Sequence, residues 1–142
     1  MGVNQANARA LWRLLVILLN YAHPLTAEHL TRVATLVGQA PTVRDIAVQI
    51  DRSRPLAEVV IELAAAAGLN SVEWQTKPLL LNPPGLAPLA LALLAELHGR
   101  CGYFLPMLNI HPVANALPPR YDVVGIVNLQ ALRDMARGRR AS

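Results

Sequence analysis

The sequence predicts an α/β fold, with a Rossmann-like, mainly parallel sheet flanked by helices and an antiparallel strand pair near the C-terminus. Short apolar runs of strand length alternate along the chain with segments that carry helix start and stop residues. The runs are apolar at consecutive positions, which is typical of strands buried on both faces of a parallel sheet. Strands that alternate with helices in this way favour a doubly wound sheet.

Each element has a local signal. The predicted strands are Leu14–Leu19, Val43–Ile50, Pro78–Leu81, Tyr103–His111 and Tyr121–Val127. The predicted helices are Ala27–Gly38, Leu56–Ala67, a short turn at Ser71–Trp74, Leu86–His98 and Leu129–Arg137. Thr26 and Asn128 are good N-caps, and glycines end the first, second and fourth of these helices. The short link between the last two strands predicts antiparallel neighbours.

The length of 142 residues suits one domain. We expect a flexible leader over residues 1–13, the folded domain over 14–137 and a basic tail over 138–142. Hydrophobic residues make up 54% of the chain, which predicts a well-buried core and an oligomer interface. The helix from Leu86 to Leu97 is apolar nearly all round, which favours a homodimer over the alternative of a central helix in a monomer.

The net charge of +4 belongs to the ends of the chain. Between residues 14 and 132 there are seven basic and eight acidic residues, so the body is close to neutral. A large footprint on long nucleic acid is therefore not expected. No secretory signal is visible, and the longest apolar stretch is too short to span a bilayer, so we expect a cytoplasmic protein without membrane attachment.

Several familiar chemistries lack their motifs. Cys101 is the single cysteine, which excludes an internal disulfide and a multi-cysteine metal site. The four histidines have no i, i+4 spacing, so no metal site is predicted. A dinucleotide fingerprint, a phosphate-binding P-loop and a serine nucleophile elbow are all absent from the sequence. We predict no cofactor.

Polar and turn residues follow the first and third predicted strands. Ligands of open α/β sheets bind outside the carboxyl ends of the strands, where helix N-termini also attract anions. The asparagine amides suit a base or ribose edge, and the tyrosine offers a stacking face. The alternative is that the segment Asn82–Gly85 is only a turn and that Asn20 is only a helix cap. The predicted ligand-binding residues are Asn20, Tyr21, Ala22, His23, Asn82, Pro83, Pro84 and Gly85.

Catalytic candidates are few within these two segments. His23 could act as a general base or a phosphate hydrogen-bond donor, and Tyr21 could assist proton transfer. The alternative for His23 is a loop histidine that orients the backbone.

Four stretches together resemble a known family. They are Leu18–Thr26, Trp74–Gln75 with Pro78–Pro88, Glu96–Arg100 and Val127–Arg133. Over residues 14–137 the chain resembles small single-domain CRISPR-associated proteins of type III systems, which are relatives of the CARF (cyclic-oligonucleotide-binding Rossmann) domains. The resemblance implies a CARF-like fold and a cyclic oligoadenylate ligand, most commonly cyclic tetra-adenylate.

The resemblance also implies a homodimer that holds the ring across its two-fold axis, and a higher oligomer assembled by the ligand. Some such proteins are metal-independent ring nucleases, in which the ribose 2′-OH attacks the neighbouring phosphate. Others bind the ring and sequester it. Because Tyr21 and His23 are the only catalytic candidates in the two loops, sequestration is favoured, and ring cleavage is the first alternative. A non-enzymatic protein-interaction module is the second alternative.

Overall fold

The computed structural model describes residues 16–140, in which strands and helices alternate except for two consecutive helices before the third strand and two consecutive strands near the C-terminus. Five strands lie in this range: β1 (Ile17–Asn20), β2 (Thr42–Asp45), β3 (Leu79–Asn82), β4 (Met107–Pro112) and β5 (Tyr121–Val127). Five helices lie in the same range: α1 (Ala27–Val37), α2 (Leu56–Ala66), α3 (Ser71–Thr76), α4 (Ala87–Cys101) and α5 (Leu129–Arg140). The predicted order of elements is confirmed.

The strands form one sheet with the order β2-β1-β3-β4-β5. The first four strands are parallel, and β5 runs antiparallel to β4. The chain leaves β1 for β2 on one side, then crosses back to β3 on the other side of β1. The connections therefore reverse direction between β1 and β3, which is the topological switch point of a Rossmann-like sheet.

The two central strands are buried on both faces. Leu18 and Leu80 point to the face that α1 covers through Val33. The alternate residues of both strands point to the opposite face, which α2, α3 and α4 cover; the main members of that larger core are Ile17, Leu19, Leu79, Leu81, Leu63, Trp74, Leu93 and Leu97. Burial on both faces explains why the strands read as unbroken apolar runs.

The capping residues of α1 behave as predicted. The Thr26 side chain accepts a hydrogen bond from the His29 amide, and His29 reciprocates by accepting from the Thr26 amide. Gly38 ends the helix with a φ of 86°, the left-handed conformation that glycine adopts without steric cost. Local sequence therefore determines both ends of this helix.

The predicted end of α4 is wrong. The helix continues through Gly99 to Cys101, and the glycine that ends it is Gly102, with a φ of 84°. Within the chain, a single stripe of Leu89, Leu93, Leu97 and Cys101 is buried, whereas Leu91 is 68% exposed, so the predicted homodimer interface on this helix stays a prediction. Spacing of four residues places the buried members on one helix face.

Other boundaries also differ from the sequence-based ones. β2 ends at Asp45, so the predicted strand to Ile50 is wrong, and residues 46–50 carry no regular structure. β4 begins at Met107 instead of Tyr103, and α5 extends to Arg140, into the predicted tail. The predicted leader and the first two residues of the predicted first strand lie outside the described residues. No helix within residues 16–140 has the length and apolarity needed to cross a membrane.

Candidate functional site

The two predicted loop segments meet at the carboxyl edge of the sheet. Asn20 and Asn82 occupy the same level of neighbouring parallel strands, and Asp45 lies level with Asn20 on its other side. All three are the last residues of their strands. They therefore lie in a row across the switch point, where ligands of open α/β sheets bind.

The two asparagines bond to each other. Asn82 Nδ2 donates to Asn20 Oδ1 at 2.9 Å, and Asn20 Nδ2 donates to Asp45 Oδ1 at 2.8 Å. Asn20 Nδ2 also donates to the carbonyl of His23 at 3.1 Å, while its Oδ1 accepts from the amide of Ala22 at 3.1 Å. An amide N–H can only donate, so this last contact fixes the orientation of the Asn20 carboxamide.

Asn20 is consequently an internal organiser of the loop. Its side chain is 1% exposed, and both its amide group and its oxygen already have protein partners. Both hydrogens of Asn20 Nδ2 have protein partners in this structure, so none is left over to read a base or ribose edge, and the predicted role of Asn20 in ligand binding stays a prediction. Asn82 is also buried, and its Nδ2 is likewise engaged. Sequence reasoning missed Asp45, which it placed in mid-strand.

Tyr21 is a core residue. It is 2% exposed, and its hydroxyl donates to the carbonyl of Leu63 at 3.0 Å, which ties the loop to α2. Little of the ring is therefore open for stacking, and the predicted stacking role of Tyr21, which also lines the first cleft, stays a prediction. Burial raises the pKa of the phenol well above its ordinary value, against a smaller opposing effect of Arg100. A phenol held neutral in this way is a poor candidate for taking up a proton at neutral pH.

His23 is the ionisable side chain of the two loops that remains exposed. Its backbone carbonyl is held by Asn20, so the loop presents the imidazole at a defined place on the sheet edge. His23 lines both of the clefts that open there. Of the two catalytic candidates, His23 is exposed, whereas Tyr21 is 2% exposed and contributes to the lining of the first cleft.

Two clefts flank the loops, one on each face of the sheet. The first has a volume of about 460 Å³ and lies towards α2 and α4; residues 46–50 form one of its walls. The second has a volume of about 410 Å³ and lies towards α1 and β5, with Asn82 and Pro83 in its lining. The residues common to both linings are Ala22, His23, Pro84 and Gly85. The rim between the clefts is therefore built from residues that the sequence had singled out.

The helices that start at this edge differ in their caps. The first turn of α1 is closed by its own capping box. In α4, by contrast, the N-cap is Leu86, which offers no side-chain hydrogen bond and itself lines the first cleft. The positive end of the α4 dipole therefore lies at the first cleft without a side-chain acceptor of its own. An anionic group in the cleft would be stabilised there.

Gly85 borders this helix start. A Cβ added at Gly85 would meet no atom within 4 Å, and the residue has no positive φ. Gly85 therefore leaves open space beside the cleft, and its backbone conformation does not itself require a glycine. Among residues 16–140, no group of three histidine, cysteine, aspartate or glutamate side chains is arranged to hold a metal ion.

The fold and the site together define a class: a Rossmann-like α/β domain with paired clefts at its switch point. Comparisons with protein-family models, with curated proteins and with solved structures found no match for this chain.

Proposed function

We propose that this domain binds a cyclic oligoadenylate, with cyclic tetra-adenylate first among the candidates, at the carboxyl edge of its sheet. In this proposal it lowers the free level of the messenger in the cytoplasm during type III CRISPR defence, by sequestration. The observation that carries the proposal is the shared rim of Ala22, His23, Pro84 and Gly85 between two clefts at the switch point. The family resemblance of the same loops supplies the identity of the ligand.

The chemistry of the rim suits a phosphodiester ring. The uncapped start of α4 offers a positive dipole end, and His23 offers a hydrogen-bond donor. Apolar side chains in the first cleft, among them Ile46, Val48 and Leu89, provide surfaces against which a base can pack. A ring that bridges the clefts of two copies accords with the proposed homodimer, and with larger assemblies formed on ligand.

Sequestration is favoured over cleavage by the state of the catalytic candidates. Tyr21 is buried and donates its hydroxyl to Leu63, so proton transfer at the rim depends on His23 alone. One histidine can assist 2′-OH attack as a base, but the loops contain no second group to protonate the leaving oxygen. Ring cleavage by His23 remains the alternative activity.

Calorimetry with cyclic tetra-adenylate and cyclic hexa-adenylate tests the binding. Gly85→Trp should weaken binding by about tenfold or more, because the indole occupies the rim. Gly99→Trp is the matched control, since a Cβ there also meets no atom within 4 Å and the residue lies in α4, near its opposite end. If neither ring gives a binding signal at micromolar protein, the proposal is overturned.

Product analysis separates the two activities. Excess cyclic tetra-adenylate incubated with the protein should be recovered intact if the protein sequesters it. Multiple turnovers to linear products that fall in His23→Ala would instead establish a ring nuclease. If Gly85→Trp leaves the effect of the protein on type III CRISPR defence in cells unchanged, the protein-interaction alternative is favoured.

A further inference from the structure

The β4–β5 hairpin extends past the carboxyl edge of the sheet. Leu81 lies level with Met107, so Asn82, the last residue of β3, lies level with Leu108. β4 continues beyond this level through Asn109–Pro112, and β5 remains paired with it as far as Pro112. At a rise of about 3.4 Å per residue, this extension carries the hairpin roughly 13 Å beyond the end of β3. The hairpin therefore forms one wall of the second cleft.

Tyr121 lies on the face of the hairpin that is turned towards α1. Val123, two residues further along β5, is buried in the same small core as Val33 of α1. Side chains two residues apart lie on one face of a strand, so Tyr121 shares the face of Val123. The irregular register of the hairpin falls after Val123 and leaves this relation intact. Tyr121 is 55% exposed and lines the second cleft, so its ring is open to a ligand.

His29 fixes the position of Tyr121. Its Nδ1 accepts from the Thr26 amide at 3.1 Å, so its Nε2 carries the proton and donates to the Tyr121 carbonyl at 2.7 Å. The backbone of Tyr121 is thereby attached to the start of α1, on the opposite side of the cleft. A side chain whose backbone is already held in place costs less entropy to order on binding.

Asn82 gives the second cleft a hydrogen-bond acceptor. It lies two residues after Leu80, which belongs to the core against α1, so its side chain is on the same face as Tyr121. Its Nδ2 donates to Asn20 Oδ1, and its own Oδ1 has no partner among residues 16–140. Within that range, the buried side-chain nitrogen or oxygen that lacks a partner is Trp74 Nε1. Asn82 Oδ1 is therefore accessible from the cleft that this residue lines.

We propose that the second cleft holds one adenine base of the ring, which stacks on Tyr121 and donates from its N6 amino group to Asn82 Oδ1. This inference rests on the proposed function and adds to it the side chains that recognise the base. Leu108 and Ile110 also line the cleft and give the base an apolar surface. The rim and the start of α4 stay free for the phosphates.

The acceptor makes the cleft selective among purines. Stacking on an aromatic ring stabilises any base, because every base has a π-face. Adenine carries an amino donor at C6, whereas guanine carries an oxygen acceptor there. Guanine would place this oxygen against Asn82 Oδ1, and two acceptors that face each other without a hydrogen repel. Tyr121 therefore supplies affinity, and Asn82 supplies the preference for adenine.

Calorimetry with cyclic tetra-adenylate tests the stacking. Tyr121→Ala should bind the ring at least about tenfold more weakly than wild type, and Tyr121→Phe, which keeps the aromatic face, within about threefold of wild type. His111→Ala is the matched control. It removes an exposed ring from the same hairpin, and its position next to Ile110 in β4 places it on the opposite face. It should bind as wild type does.

The two possible failures are distinguishable. Wild-type affinity in Tyr121→Ala, with the variant folded by circular dichroism, overturns the inference and leaves the proposed function standing. A wild-type chain that binds no ring overturns both.

A change in the ligand tests the acceptor without any change in the protein. A synthetic ring of purine riboside has a hydrogen in place of each N6 amino group and keeps the stacking faces. Wild type should bind this ring at least about tenfold more weakly than cyclic tetra-adenylate, because Asn82 Oδ1 then meets no donor. Equal affinity for the two rings would show that the amino group is not recognised and would overturn the inference.

Discussion

Asn82 donates from Nδ2 to Oδ1 of Asn20 across 2.9 Å, although 62 residues separate the two along the chain. This bond joins β1 and β3 side chain to side chain, in addition to their backbone ladder. It lies where the two clefts begin, so the loop after each strand starts from a common anchor. Changes to either asparagine should therefore act first on the shape and stability of the edge.

Asn20→Ala should lower the free energy of unfolding by about 2 kcal/mol, because the substitution leaves one buried and three partly buried groups at the sheet edge without this partner. Those groups are Asn82 Nδ2, Asp45 Oδ1, the carbonyl of His23 and the amide of Ala22. Urea denaturation measures the change. Asn70→Ala is the control: Asn70 caps the exposed start of α3, and its loss should cost about 1 kcal/mol. Equal losses for the two variants would contradict an organising role for Asn20.

Tyr21→Phe should flatten the alkaline fall in stability. Burial raises the pKa of Tyr21 in the folded state, so its contribution is fully present below the ordinary tyrosine pKa of 10.0 and is lost as pH rises above it. Each pH unit in that window should cost the wild type about 1.4 kcal/mol from this group. Urea titrations of wild type and Tyr21→Phe between about pH 9 and 11 measure how steeply the free energy of unfolding of each falls with pH.

Tyr121→Phe is the control for the substitution itself, because it removes the same hydroxyl from a residue that is 55% exposed. At neutral pH, Tyr21→Phe should cost about 1 kcal/mol, since the Leu63 carbonyl loses its donor. Parallel slopes in wild type and Tyr21→Phe would mean that Tyr21 ionises freely in the folded state.

Cys101 should react slowly with thiol reagents in the native protein. It is 6% exposed, and burial raises its pKa to about 11 from an ordinary value of 9.0. The thiolate is the reactive form, so at pH 8 a two-unit rise lowers its population about a hundredfold. Rates of modification by a chromogenic disulfide reagent, with and without urea, check this. Native labelling as fast as in urea would argue against the buried thiol.

His29→Ala should cost about 2 kcal/mol, because His29 makes two side-chain contacts. Its Nδ1 accepts from the Thr26 amide at 3.1 Å, and so its Nε2 carries the proton that meets the Tyr121 carbonyl at 2.7 Å. The helix cap and the attachment of β5 thus share one imidazole. His111→Ala, at an exposed position of β4, should change the urea midpoint little. A similar small change for His29→Ala would show that neither contact matters.

The sequence predicted elements whose determinants are local. α1 has its capping threonine and its terminal glycine within a dozen residues, and both behave as expected. The end of α4 was misplaced because Gly99 and Gly102 look alike in sequence. Only the backbone distinguishes them, since Gly102 adopts a positive φ and Gly99 continues the helix.

The length of β2 depends on its neighbour and not on its own residues. Residues 46–50 keep the alternation of a strand, with Ile46, Val48 and Ile50 apolar. β1, however, ends at Asn20. The bond from the Ile46 amide to the Asn20 carbonyl is therefore the last backbone hydrogen bond between β1 and β2. Beyond this point the chain departs from the sheet and becomes a wall of the first cleft. No local pattern encodes that limit.

The two predicted segments lie together as expected, and their role in ligand binding stays a prediction. The sequence predicted that the ends of the first and third strands lie together, and the register of Asn20 with Asn82 confirms it. Two carboxamides at one level can bond to each other, which leaves Asn20 without a free donor, while Asn82 still lines the second cleft. That outcome requires the register, which a single sequence does not supply.

The open space at Gly85 makes the rim accessible to chemistry from outside. A cysteine introduced there would keep the backbone unstrained, because its Cβ meets no atom within 4 Å. It would react faster than the buried Cys101, so a fluorophore could be attached selectively between the two clefts. The emission of that dye would then report directly on whatever enters either cleft.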